Sequence, residues 1–485
     1  MKTRRRYGTY HFLSEKELTT IHEASLKILE TNGVHAPDER LLKLAESKGA
    51  KVNFSSSVIR FPKRLTEQYL AENRLAFEKA GRGGSSIPNE DERRVCFHLS
   101  GQSIRSIDLE TGDARRATLK DLEDSSKIAS YLNEVQFNGA LYHPTDVPQR
   151  TDDLYQYYTM VKHTTKPVLL DIIHVSSIPW LEEMAIAVHG SKKIVQAKNI
   201  LYFNAFISSP LQYAKDALQK MWAVYDRGYK VSLGWPMSVV GASTPVTLAG
   251  AAVSCNADAV SGIVLTRMID SNVIARLGAS PVTMDMHSGM GLYGDPRRLL
   301  LCGACMDMSR FYGIPTGNFP VGIDAAFPGI QAAMERMFTS MTVLAYGEGD
   351  IPIRLGILGP ANAAASMAQI FIDLEIGHII EKWLQGIEVS DDTLALQDIL
   401  DAGIGGSFLA HEHTARFFRR ECWLPELVEH RVPAGKLPPA DPVYEKARVK
   451  ARQILAQDDL QALRPDVKKE LDRIMESALK AIKIN

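Results

Sequence analysis

The sequence predicts an α/β chain, a (β/α)8 barrel of the TIM type with a helical extension before it and further helices after it. Three observations carry this. From about residue 118 onward, helical stretches alternate with short apolar runs, the rhythm of repeated helix-and-strand units. Those runs are mostly apolar without clean polar alternation, as parallel strands covered on both faces should be. Dinucleotide and phosphate-loop fingerprints are read as absent, which counts against an open nucleotide-binding sheet.

Taken in order, residues 14–30 form a first helix. Ser14 can cap it, Glu17 stands three residues on as in a capping box, and Leu18, Ile21, Leu26 and Leu29 mark one apolar face. A second helix over 38–48 stops at Gly49, an extended piece follows over 52–61, and a third helix starts at Pro62. The Gly/Ser-rich stretch 81–86 leads to a small β excursion, 94–98 and 103–108, turned by Thr111, Gly112 and Asp113.

Helix-then-strand pairs then repeat: 119–132 with 135–141, 151–162 with 168–173, 178–188 with 200–206, and 211–227 with 230–235. They continue as 247–269 with 281–286, 296–312 with 314–319, and 328–345 with 351–358. A helix over 366–385 follows, and an eighth strand is placed near 406–409. Two terminal helices, 442–457 and 465–482, come after a Pro-rich linker. The organisation read from this is an N-terminal helical and small β extension over 1–117, the barrel over 118–432, and a C-terminal linker with helices over 433–485.

Composition excludes several function classes. Lys and Arg number 56 against 57 Asp and Glu, a net charge of −1, so neither nucleic acid nor an anionic membrane is an expected partner. Five cysteines (Cys96, Cys255, Cys302, Cys305, Cys422) are too few and too scattered for a disulfide framework. No apolar stretch follows the basic start, so no secretory signal is expected. The run 246–265 is broken by Asn256 and Asp258 and reads as a buried helix. A cytoplasmic chain is expected.

In a barrel, groups just past the C-terminal ends of the strands face one mouth. Here these are Tyr142 and His143, Asp171 and His174, Asn204 and Phe206, and Gly234 and Trp235. Asp285 and His287 follow, then Asn318, Phe319 and Asp324, with Glu348 just before the strand at 351. Asn318, Phe319 and Asp324 share one stretch, 313–336, where a short strand opens into a Gly/Pro-bent loop before a helix. Rings and carboxylates dominate the set and cations are few. No lysine stands where a Schiff base would need one, and no Gly-rich loop offers amides to a phosphate. A ring-and-carboxylate pocket suits a positively charged ligand, each ring face contributing about 0.5–2 kcal/mol to a desolvated cation. For any single Phe or Tyr, core packing is the commoner role.

Two motif look-alikes carry less. Cys302 and Cys305 have C-x2-C spacing, but on a helix and with no second pair, so buried helix cysteines are preferred over zinc. His411-Glu412-His413 lacks the second histidine of H-E-x-x-H, since Ala415 stands in its place. A helix-capping or structural role is expected there.

Several motifs together resemble a known family. They are Asp324-Ala325 with Gln331, Ala332, Glu335 and Arg336, and Leu409 with His411-Glu412-His413-Thr414. The start, from His22 to Glu30 with Gly33 and Val34, and the stretch Asp108-Leu109-Glu110-Thr111-Gly112 with Arg115, Arg116, Thr118, Leu119, Asp121 and Leu122, match as well. Their order over most of the chain resembles the trimethylamine:corrinoid methyltransferase family. That resemblance implies a barrel that moves a methyl group from a methylated amine to the Co(I) of a separate corrinoid protein. Founding members carry pyrrolysine near the seventh strand. This chain has ordinary residues throughout 346–358, and so is similar to the non-pyrrolysine relatives that use quaternary amines such as glycine betaine, proline betaine and carnitine.

The site expected from strand-end position has Asp324 and His287 as catalytic groups. Tyr142, His143, Asp171, His174, Asn204, Trp235, Asp285, Asn318 and Phe319 are the substrate-binding set. No metal and no tightly bound cofactor is expected; the corrinoid (cobalamin) comes with the partner protein. Homo-oligomers are expected. The alternatives are a tertiary amine methyltransferase of the trimethylamine type, a zinc-dependent methyltransferase using Cys302, Cys305 and His287, and a non-catalytic betaine-binding protein.

Overall fold

A computed structural model describes residues 10–80, 94–316, 322–346, 350–429, 440–460 and 463–482. The chain is an α/β protein in which short parallel strands and long helices alternate. Its helices follow from local sequence. Ser14 caps helix Glu15–Thr31 through a capping box, with Ser14 N–H donating to Glu17 Oε2 at 2.8 Å. Asp38 caps Glu39–Ser47, and Asp295 caps Pro296–Tyr312, which ends on a left-handed Gly313. Helix Leu248–Ile269, the apolar stretch interrupted by Asn256 and Asp258, is largely buried inside the molecule.

The parallel strands are the frame for everything else. Val95–Leu99 lies between Val135–Asn138 on one side and Ile351–Arg354 on the other, parallel to both. Asn138 continues the pattern by a parallel bridge to Val168. Phe203–Ser208 runs parallel to Val231–Gly234, and Leu277 makes a parallel bridge to Thr316. Val95–Leu99, read from sequence as part of a small excursion, is therefore central to a parallel sheet.

Each strand shows two different faces. Val95, Phe97, Leu99, Val135, Ile351 and Ile353 pack into a core with the surrounding helices. Ala205, Ile207, Val231 and Leu233 do the same in a second core. By the two-residue alternation of strands, Cys96, His98, Arg354, Asn204 and Ser232 point to the opposite, inner side. The expectation of strands apolar on both faces is thus too simple: the helix side is apolar, while the inner side carries polar groups and rings.

Four sequence-based expectations need correction. Residues 406–408 are irregular and Leu409 lies in a turn, so no eighth strand forms there; left-handed Gly403 and Gly405 bend the chain just before. The piece at 281–286 is not part of the parallel set. Val282–Met284 forms a separate three-stranded sheet with Val239–Val240 and Gly291–Leu292. The 351–358 run splits at Gly356, and Ile357–Leu358 joins another small sheet with Ala364–Ser366, Arg105–Ile107 and Ala114–Arg116. Finally, Gly289, Gly291 and Gly294 do have G-x-G-x-x-G spacing. They sit in and beside an antiparallel hairpin rather than between a parallel strand and a helix, so the dinucleotide geometry is not formed.

Both small sheets are built from chain that follows the parallel segments, and they stand beyond those strand ends. The N-terminal module is tied in the same way: Val34–His35 pairs antiparallel with Val58–Arg60 and parallel with Gln212–Tyr213. The terminal helices pack on the chain's own helices, Pro442–Leu455 on Met367–Gln385 and Pro465–Ala481 on Ile178–His189.

Candidate active site

The inner ends of the parallel strands gather a polar cluster around Arg354. This residue closes strand Ile351–Arg354, opposite His98 in the parallel register. Its Nε donates to Ser100 Oγ at 3.2 Å. Among the described residues, no other hydrogen bond or ion pair holds its guanidinium. Burial, together with the nearby Arg336 cation, pulls its pKa down to about 10, while Asp171 and Tyr293 pull the other way. Asp171 is also raised above the usual carboxylate range by burial, an effect that Gln102 and Arg354 only partly offset. His98 stacks on Phe137 at 4.5 Å, and burial followed by Arg354 brings its pKa to about 3, so this imidazole is neutral.

The turn after Arg354 is fastened from below. Arg336 and Asp373 form a fully buried pair at 3.0 Å; Arg336 also donates to Ile357 O and Asp373 accepts from Gly356 N–H at 2.8 Å. Gln369 Nε2 donates to the same Asp373 Oδ1 that Arg336 meets, while Gly356 takes Oδ2, so the pair is hydrogen-bonded on several sides.

Trp235 stands directly past strand Val231–Gly234. Its φ is 58°, left-handed and costly for a non-glycine residue, and it follows Gly234 at φ 108°. The ring lies so close to Gly278 that a Cβ there would be 2.5 Å from it, and its Nε1 donates to Ser280 Oγ at 3.1 Å. The neighbouring segment 278–280 therefore fixes the indole at a strand end. Asn204 accepts from Ser232 Oγ at 2.5 Å, and its buried amide nitrogen has no partner among the described residues. Phe206, two residues on, is half exposed on the same face.

His143 and His174 belong to an adjoining layer. Both imidazoles meet Asp152, His143 Nε2 at 3.2 Å and His174 Nε2 at 2.8 Å. Burial opposes ionisation of Asp152, but the two imidazoles together hold its carboxyl below the usual range. Gln102 links this layer to Asp171, since its Oε1 lies 3.2 Å from His143 Nδ1. A cavity of about 360 Å³, lined by Arg105, Arg116, His143 and Asp152 among others, opens beside it. Asp152, Asp153 and His174 are the one convergent set of metal-ligand side chains among the described residues. Asp153 is committed to backbone, accepting from Ile173 and His174 N–H at 3.0 Å each.

The remaining sequence-based candidates scatter. Tyr142 is fully buried in the helix-side core. Asp285 accepts from His287 N–H and from the Ser288 hydroxyl in an exposed turn, which keeps its carboxyl below the usual range, and the His287 ring is exposed. Asp324 accepts from Tyr293 and Gly294 N–H, both at 2.7 Å, while Glu335 accepts from Asp324 and Ala325 N–H. These two carboxylates clamp one loop to another. Asn318, Phe319 and Glu348 lie outside the described residues. Cys302 and Cys305 are buried in the helix-side core, where burial raises both thiols. His411 occupies the N-cap position of Glu412–Glu421 without a side-chain cap, and instead meets Asp398 at 3.2 Å.

Arg354, Gln102, Ser100 and His98 were not in the strand-end set. The apolar run 351–358 hid Arg354, and the expectation of few cations at the mouth is corrected by it. The signal was present: an arginine in an otherwise apolar run needs a polar environment.

Comparison with known proteins agrees with the resemblance. A family model described as trimethylamine methyltransferase (MTTB) matches residues 1–480. Trimethylamine methyltransferase from Desulfitobacterium hafniense is 25% identical over 414 residues, 84% of this chain and 82% of that protein. Glycine betaine methyltransferase from another strain of that organism is 25% identical over 463 residues, covering 95% and 96%. Trimethylamine methyltransferase from Methanosarcina barkeri is 25% identical over 478 residues, covering 96% and 95%. The crystal structure of the Methanosarcina barkeri monomethylamine methyltransferase superposes with a TM-score of 0.44 at 12% identity, covering 93% of this chain and 96% of that one. The chain belongs to the trimethylamine methyltransferase family of enzymes.

Proposed function

We propose that this methyltransferase takes a methyl group from a quaternary, betaine-type amine and delivers it to the Co(I) of a corrinoid protein, which acts as second substrate. The observation that carries the reading is the site itself. Its inner face offers rings, a partly buried carboxyl and amides, and among the described residues neither group expected to act in catalysis stands as a general acid. The two candidates for proton transfer, Asp324 and His287, are respectively bound to backbone amides and exposed in a turn. A quaternary nitrogen leaves as a neutral tertiary amine: the C–N bond breaks, its electron pair stays on nitrogen, and the methyl bonds to the acceptor's cobalt. No proton is needed. The protein's work is then to orient one methyl along the line of attack and to exclude water. The relative described as a glycine betaine methyltransferase supports this substrate class.

Trp235 and Phe206 serve as ring faces for the ammonium, with Asn204 and Asp171 nearby; Asn318 and Phe319 remain assigned to the pocket from sequence. A carboxyl raised by burial suits this place. A strong anion would hold the cationic substrate better than a transition state whose charge is dispersing. His143 and His174 support the site from behind, and Asp324 holds a loop.

Among the described residues, parallel pairings or single bridges involve eight segments, at 95–99, 135–138, 168–170, 203–208, 231–234, 275–277, 314–316 and 351–354. We read them as one closed ring, sealed where Ile351–Arg354 meets Val95–Leu99. The barrel unit then starts near residue 94 rather than 118.

The test is a substrate panel. Purified enzyme with a corrinoid acceptor in the Co(I) state is given glycine betaine, proline betaine, carnitine and trimethylamine, and methyl–Co(III) is followed by absorbance. Turnover with a betaine and none with trimethylamine is expected. Turnover with trimethylamine alone would overturn the reading.

A further inference from the structure

Arg354 is a cation near the site whose surroundings are incomplete, as those of the neutral Asn204 amide are. It lies on the inner face with Ser100, Gln102 and Asp171. Its guanidinium is partly buried, yet only Nε is engaged, leaving both terminal nitrogens without a partner among the described residues. Asp171 attracts it but closes no ion pair with it. Two fully buried arginines show the contrast: Arg336 has Asp373 and Ile357 O, and Arg298 has Pro281 O and Tyr293 O. A fork with two free corners in a partly desolvated place matches the two oxygens of a carboxylate.

We propose that Arg354 binds the carboxylate of a zwitterionic substrate, with Ser100 holding the fork in plane, and so selects betaines over amines that lack a carboxylate. This rests on the quaternary-amine reading above. Asp171 and the ring faces then lie on the ammonium side, and the two charges of the ligand meet complementary groups. An amine without a carboxylate would leave the fork unmatched beside its own positive charge.

The test separates this from the parent reading by using binding as well as turnover. Glycine betaine and tetramethylammonium are titrated calorimetrically into wild type, Arg354→Gln and Arg354→Lys, with far-ultraviolet circular dichroism confirming each fold. Arg354→Gln should weaken glycine betaine about 100-fold and tetramethylammonium less than threefold; Arg354→Lys should fall between for betaine. Equal losses for both ligands, undiminished betaine binding in Arg354→Gln, or no betaine binding by wild type would overturn the proposal. If the wild type binds betaine through Arg354 but transfers no methyl group, the anchor stands and the transfer reading falls.

Discussion

The inner ends of the parallel strands and the segment at 381–426 depart from ordinary burial in opposite directions. Inside, Arg336, Asp373, His98 and Arg298 are buried, and Arg354 and Asp171 partly so. Outside, a row of Ile and Leu side chains faces solvent. Scattered exposed apolar residues are ordinary on protein surfaces, but a continuous run of them and a cluster of buried charges are informative. The difference lies in what completes each region. In the interior the charges are mostly matched within the chain, and what stays open is on the scale of single groups, the Arg354 guanidinium and the Asn204 amide. The outer segment is incomplete along its whole length, a deficit on the scale of a protein surface.

Substitutions can break this comparison. The largest effect is expected from Arg336→Ala. It strands Asp373 in a fully buried place and should cost about 3–5 kcal/mol in chemical denaturation; a loss under 1 kcal/mol would mean the pair is not buried as described. Next comes acid. With a folded pKa of about 3 against about 6.5 unfolded, His98 takes up a proton on unfolding between those values, so stability falls as pH drops through that window. His98→Phe should remove this term, a relative gain of about 2 kcal/mol at pH 5 and little at pH 8. An equal change at both pH values would contradict it.

Smaller effects sharpen the contrast. Trp235→Ala should weaken a quaternary amine by about 0.5–2 kcal/mol in calorimetry, and unchanged affinity would remove the indole from the cage. Arg416→Ala, breaking an exposed pair of the outer segment, should change stability by less than about 0.5 kcal/mol. A larger loss in thermal unfolding would show that this pair does more than hold a surface helix.

How far the sequence could be read follows the same division. Helices with local signals were legible nearly to the residue: the Ser14 capping box, Pro296–Tyr312 and Leu248–Ile269. Strands were harder, because a three- or four-residue run carries little periodicity. The pairing that gives Val95–Leu99 its place joins residues over 250 positions apart. Of the candidate site, Asp171 and Trp235 were named from the sequence as strand-end groups, whereas Asn204, named with them, stands near the start of strand Phe203–Ser208. Arg354 was not, because a single charge in an apolar run does not say which face it takes. Asp324 and Glu335 were visible as parts of one motif, but only the amides they accept from reveal a clamp.

The most direct measurement is a side-by-side titration of the wild-type protein with glycine betaine and trimethylamine at neutral pH. Saturable binding of glycine betaine, at least tenfold tighter than trimethylamine, is the expected result. Binding of trimethylamine as tight or tighter would contradict a site built for a zwitterionic quaternary amine.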